Sequence, residues 1–157
     1  MSLIAKQSIY NFITISFAFI IGAINTLFLY PTYPGKEFQG LVVALLATSN
    51  LLQPFISFGV QHALIKFYSS YSNKKDRDNL LWFSVYFPMI IIIALIPVFV
   101  FLKPQIISFL TSVNQEIEKY FTMIFYIAIL TAYFEIFFSW LRIQLKTIFG
   151  NFLKEFY

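Results

Sequence analysis

The chain has no cysteine and a single histidine among 157 residues. Those absences exclude a disulfide framework and thiolate catalysis, and leave little for zinc chemistry. Charge is scarce too. Only 11% of residues are Asp, Glu, Lys or Arg, against about 25% in ordinary soluble domains. Also missing are the His-Glu-x-x-His, Gly-x-Ser-x-Gly and phosphate-loop patterns, and any carboxylate cluster at metal-ligand spacing. No catalytic residue, cofactor or metal site is expected, and the chain is not read as an enzyme.

What is present in excess is apolar surface. Hydrophobic residues make up 59% of the chain, Phe alone numbers 21, and mean hydropathy is +0.76. A soluble core of this size cannot hide so many Phe and Ile side chains, so lipid must cover them. The apolar residues fall into four runs, Ile9–Tyr30, Phe38–Tyr68, Leu80–Leu102 and Tyr120–Leu141. A helix rising about 1.5 Å per residue crosses the hydrocarbon in roughly 20 residues, and each run reaches that length. Unpaired backbone groups are prohibitive in hydrocarbon, so each run must be helical. The expected fold is all-α, a polytopic membrane protein forming one transmembrane region over 1–157. Its spans fall at about 9–30, 38–68, 80–102 and 120–141, with an amphipathic tail over 142–157.

In a soluble chain a net charge of +4 would raise a nucleic-acid partner; in a membrane chain it bears on orientation, and no nucleic acid is expected. Lys6, Lys66, Lys74, Lys75, Arg77, Arg142, Lys146 and Lys154 fall on one side, and Lys36, Lys103 and Lys119 on the other, eight against three. The positive-inside rule places the N-terminus, the 69–79 connection and the C-terminal tail in the cytoplasm. Four crossings return the chain to its starting side, which agrees. The first run is about twice a signal-peptide core of roughly 7–15 residues, and no small-x-small site follows before Pro31, so it reads as a retained span. Tyr30, Tyr33, Tyr68, Tyr71, Trp82, Tyr120 and Trp140 fall near the expected interfaces, as an aromatic belt would.

Pro54 is expected to kink the long second run. The Asn73–Asn79 stretch reads as a solvated connection, and 103–119 as an external loop whose middle, 106–110, lies in the interface. Within the spans, small and polar residues mark faces that meet protein or water. Asn50, Gln53, Ser57 and Gln61 recur at steps of three, four and four, which puts them on one helix face. The first span supplies Ala18, Gly22, Asn25 and Thr26, and the fourth supplies Ala128, Thr131, Glu135, Ser139 and Arg142. These stripes read either as interhelical hydrogen bonding or as the lining of a cavity. Glu135 is the acidic residue inside a span, where a charge costs at least about 2.5–3.5 kcal/mol and by default has a partner or a task. It stands about 10 Å along the helix from Arg142. With His62 and Lys66 in the same half of the membrane, the four could gather as an ion-paired cluster or a group that meets an anionic headgroup.

Gly35-Lys36-Glu37-Phe38-Gln39-Gly40-Leu41, then Leu51-Leu52-Gln53-Pro54-Phe55-Ile56-Ser57-Phe58-Gly59-Val60 and Ala63-Leu64-Ile65-Lys66-Phe67-Tyr68, carry a diffuse pattern. An acidic-aromatic-Gly entry leads into the second helix, Pro and Gly follow within it, and a basic-aromatic exit closes it. This resembles the opening helices of bacterial polysaccharide-export and O-antigen flippases, the Wzx-like branch of the multidrug/oligosaccharidyl-lipid/polysaccharide superfamily. Asn25-Thr26-Leu27-Phe28 and the basic tail from Arg142 fit the same pattern, while Gln39 before Gly40 departs from it. The resemblance implies part of the N-terminal lobe of an inner-membrane transporter with a dozen or more helices. Such a protein moves polyprenyl-pyrophosphate-linked sugars for lipopolysaccharide and other surface polysaccharides. Its implied partners are the bilayer, the lipid-linked oligosaccharide and the remaining helices of a longer chain, of which this would be an N-terminal portion. Candidate substrate-binding, cavity-lining positions are Glu135, Arg142, Lys66, His62, Gln53, Asn50, Gln61 and Asn25, of which the resemblance itself reaches only Lys66, Glu135 and Arg142. The alternatives are a cation-coupled drug exporter of the same superfamily and a small four-helix membrane scaffold or subunit.

Overall fold

The computed structural model describes residues 3–33, 35–111 and 116–144. The amphipathic tail expected beyond residue 144 lies outside them. Every element among the described residues is helical: α1 (Leu3–Ile24), a π-helical segment (Asn25–Leu29), α2 (Tyr30–Thr32), α3 (Gly35–Ser57), α4 (Val60–Tyr68), α5 (Lys74–Thr111) and α6 (Ile117–Ile143). Four helical stretches are long and apolar enough to cross a membrane. The first is nearly continuous through α1, the π segment and α2. Pro31 lacks an N–H, and the Tyr30 N–H reaches back five residues to the Asn25 carbonyl, the wider turn that defines a π segment.

The second run does not form one helix over 38–68, and the break is not at Pro54. Pro54 lies inside α3, where it removes only the donor that would meet the Asn50 carbonyl. The chain turns four residues later, where Phe58 and Gly59 both take left-handed backbone angles, φ 48° and 75°. The Phe58 N–H still closes the last turn on the Pro54 carbonyl at 2.9 Å. A glycine just past a helix end accepts φ > 0 without a Cβ clash, which makes Gly59 the natural stop. α4 then starts at once, with the His62 and Ala63 N–H groups donating to the Gly59 carbonyl at 3.0 and 3.1 Å.

The third helix is longer at both ends than the apolar run indicates. Residues 74–79 are its first turns rather than a solvated connection, because Asn73 caps it: Asn73 Oδ1 accepts from the Lys75 N–H at 3.1 Å. At the far end α5 continues through Pro88, Pro97 and Pro104 to Thr111, so 103–111 is helix and not the expected loop. Each proline forfeits one backbone bond, whereas unwinding in hydrocarbon would forfeit many. Thirty-eight residues extend about 57 Å, well beyond the hydrocarbon thickness of about 30 Å.

α6 is the centre of the bundle, with α3, α4 and α5 packed around it. Its buried stripe is Ile117, Phe121, Ile124, Ala128, Ala132, Ile136 and Ser139, the three- and four-residue steps of one helix face. Near one end Leu41 and Leu45 of α3 meet Ile117, Phe121 and Ile124. Phe99 stacks on Phe121 and Phe125 with ring centroids 4.9 and 4.8 Å apart. Further along, Ala128 and Ala132 meet Ile56, and all three are completely buried. Small residues there let the helix axes approach. Two polar contacts tie the helices. The Ser49 hydroxyl lies 3.0 Å from the Ile124 carbonyl, and the Tyr133 hydroxyl donates to the Val85 carbonyl at 3.0 Å. α1 stands apart, packing chiefly on the π segment that continues it; only 6% of the most apolar stretch of this first span is buried, as in α5, against 33% for α6. Near its end, Gln39 Nε2 donates to the Thr26 carbonyl at 3.4 Å.

Candidate functional site

The C-terminal end of α4, the first turns of α5 and the C-terminal end of α6 converge at one end of the bundle. They enclose a recess of about 600 Å³ lined by Ile65, Tyr68, Ser69, Arg77, Arg142 and Ile143. Arg77 is brought there because Asn73 starts α5 early enough to put it on the first helical turn. Its Nε donates to the Tyr71 carbonyl at 2.7 Å, and its guanidinium carbon sits 5.3 Å over the Tyr68 ring. Arg142 closes the other side, 5.1 Å over the Phe138 ring, a residue one turn earlier on α6. Ring faces attract guanidinium groups and fix their planes.

Beside the recess runs an apolar groove of about 420 Å³ between α4, α5 and α6. Leu64, Leu81, Val85 and Ile136 form its floor side, and Trp82, Phe137 and Trp140 are its large aromatic lining. Asp78 and Ser84 complete it.

Of the four residues expected to gather as a charged cluster, Arg142 lines the recess. Lys66 is exposed, with Nζ 5.4 Å over the adjacent Phe67 ring, and His62 is also exposed. Glu135 is half-buried on α6, one helical step outside the buried stripe. Arg77, read from the sequence as part of a connection, takes the place beside Arg142 that Lys66 was expected to fill.

The stripe on the second run is divided. Asn50 is exposed, Gln53 half-buried and Ser57 fully buried, so the stripe winds from the outside of α3 into its contact with the bundle. Gln53 Nε2 donates to the Ser57 hydroxyl at 3.4 Å. Gln61 lies beyond the break at Phe58–Gly59, on α4, and its Oε1 is buried with no hydrogen-bond partner among the described residues. Asn25 opens the π segment and is half-buried.

Several residues that matter had weak signals in the sequence. Asn11 hides its Oδ1 in α1 without a partner among the described residues. Ser49 is fully buried between helices; the steps of four from Ser49 to Gln53 and Ser57 are the signal that could have found it. Among the described residues no group of three or more His, Cys, Asp or Glu side chains is placed to hold a metal ion.

Helix lengths, apolar composition and packing define a polytopic all-α membrane protein. No protein-family model, curated protein or solved structure matches the chain.

Proposed function

We propose that the chain contributes the first spans of an inner-membrane flippase that moves polyprenyl-pyrophosphate-linked sugar units to the outer leaflet for surface polysaccharide assembly. What supports the reading, beside the resemblance of residues 35–68, is the polar side chain of Asn50. It is exposed well inside a membrane-crossing helix, where a bare amide facing hydrocarbon costs on the order of 1–3 kcal/mol or more. An aqueous cavity or further helices remove that cost, and Gln61 Oε1, buried without a partner among the described residues, asks for the same. A transport cavity walled by this face and by additional helices meets both needs. In this reading both termini face the cytoplasm, and the substrate phosphates approach from that side.

Disrupting the gene in its host tests the reading. Surface polysaccharide is expected to fall sharply, with the lipid-linked sugar unit accumulating in the inner leaflet. Normal surface polysaccharide with no accumulated intermediate would contradict it.

A further inference from the structure

We propose that the recess between Arg77 and Arg142 binds the phosphate of an anionic membrane phospholipid, with an acyl chain lying along the adjoining apolar groove. The two spaces adjoin along the helices. Leu64 and Tyr68 on α4, Leu81 and Arg77 on α5, and Trp140 and Ile143 on α6 each supply one residue to the groove and one to the recess. Each pair is three or four positions apart, one helical turn on a shared face. The recess therefore extends the groove by one turn toward the polar end of the bundle.

Both guanidinium groups are held from behind. Arg77 spends one N–H on the Tyr71 carbonyl and lies over Tyr68, while Arg142 lies over Phe138. A guanidinium has five N–H donors, so most remain for an incoming anion. Among the described residues the ion pair is Lys119 with Glu116, and neither arginine is engaged by a carboxylate. Among the described residues Asp78 lines the groove and not the recess, so none of them neutralises the positive sign of the recess from within.

Trp82 and Trp140 in the groove carry the second, independent argument. Indole rings favour the headgroup level of a bilayer, which sets the end of the groove nearest the arginines at the interface and the end lined by Val85 and Ile136, one turn further in, at acyl-chain depth. Basic pockets between helices at the inner surface hold anionic headgroups. A soluble phosphate would satisfy the two arginines and leave the groove empty, which is why the lipid is the better occupant.

The test is native mass spectrometry of the full chain in detergent, with phosphatidylglycerol and phosphatidylcholine of identical acyl chains. Preferential retention of phosphatidylglycerol is expected. Arg77→Gln combined with Arg142→Gln is expected to lower it by roughly tenfold or more. Arg142→Gln alone, whose described partner is only the Phe138 ring, is expected to lose part of it with helix content unchanged, so a misfolded double variant would not decide the matter. Equal retention of the two lipids would overturn the proposal, as would undiminished phosphatidylglycerol binding in the Arg142→Gln chain. Displacement by millimolar inorganic phosphate would also overturn it, assigning the recess to a soluble anion. The site does not rest on the flippase reading, since lipid retention and glycan export are separate readouts.

Discussion

The Ser49 hydroxyl sits between two carbonyls, 2.7 Å from Leu45 of its own helix and 3.0 Å from Ile124 of α6. One proton serves both, so the serine links α3 to the central helix without leaving its own backbone unsatisfied. Such interhelical bonds contribute about 0.6–2 kcal/mol in membranes. Ser49→Ala is expected to destabilise the bundle by that amount, read as a lower midpoint in detergent unfolding followed by circular dichroism. A midpoint equal to the parent chain would show that the contact carries no stability.

Ala128 and Ala132 have no exposed surface where they face Ile56. Ala128→Leu inserts a larger side chain into a closed contact, which costs typically about 1–3 kcal/mol. The expected outcome is reduced folded yield in detergent, with little effect from Leu at Ala94, an exposed position on α5. Equal yields for the two variants would contradict the packing described.

The end of α3 separates two explanations of one break. Gly59 has φ 75°, a conformation that costs a residue with a Cβ roughly 1–2 kcal/mol. Gly59→Val is therefore expected to lower stability even though open space surrounds the position. Pro54→Ala, by contrast, is expected to leave the helix ending at Ser57. Hydrogen exchange at Val60 reads the difference, and a helix running unbroken through residue 59 in the Pro54→Ala chain would assign the break to proline after all.

Glu135→Gln keeps shape and removes charge. If the carboxylate meets substrate or a coupling ion, surface polysaccharide falls in cells carrying the variant at parental expression. Unchanged export would make Glu135 a structural residue of α6.

The helical class was legible because lipid imposes it. Long runs without charge admit only one backbone solution, and the observed spans follow them. Helix ends were less legible. Asn73 is an ordinary capping residue, but its meaning was hidden by the charged cluster behind it, which resembles a loop in composition while forming the first turns of α5. Pro54 carries a stronger textual signal than Gly59, yet proline forfeits a single bond and the glycine permits the break. The candidate site suffered from the same gap. Lys66 and Arg77 are both basic residues near one end, and only the early start of α5 decides that Arg77 stands opposite Arg142. Ser49 illustrates a further limit, since the Ile124 carbonyl it reaches lies 75 residues away.

We propose that the chain crosses the bilayer four times with both ends on the cytoplasmic side, and the transport reading depends on it. Because the chain has no cysteine, single substitutions give a clean background for a membrane-impermeant thiol reagent. In intact cells, Thr32→Cys is expected to be labelled from outside, while Ser72→Cys and Tyr157→Cys react only after the membrane is opened. Labelling of Ser72→Cys or Tyr157→Cys in intact cells would contradict the account.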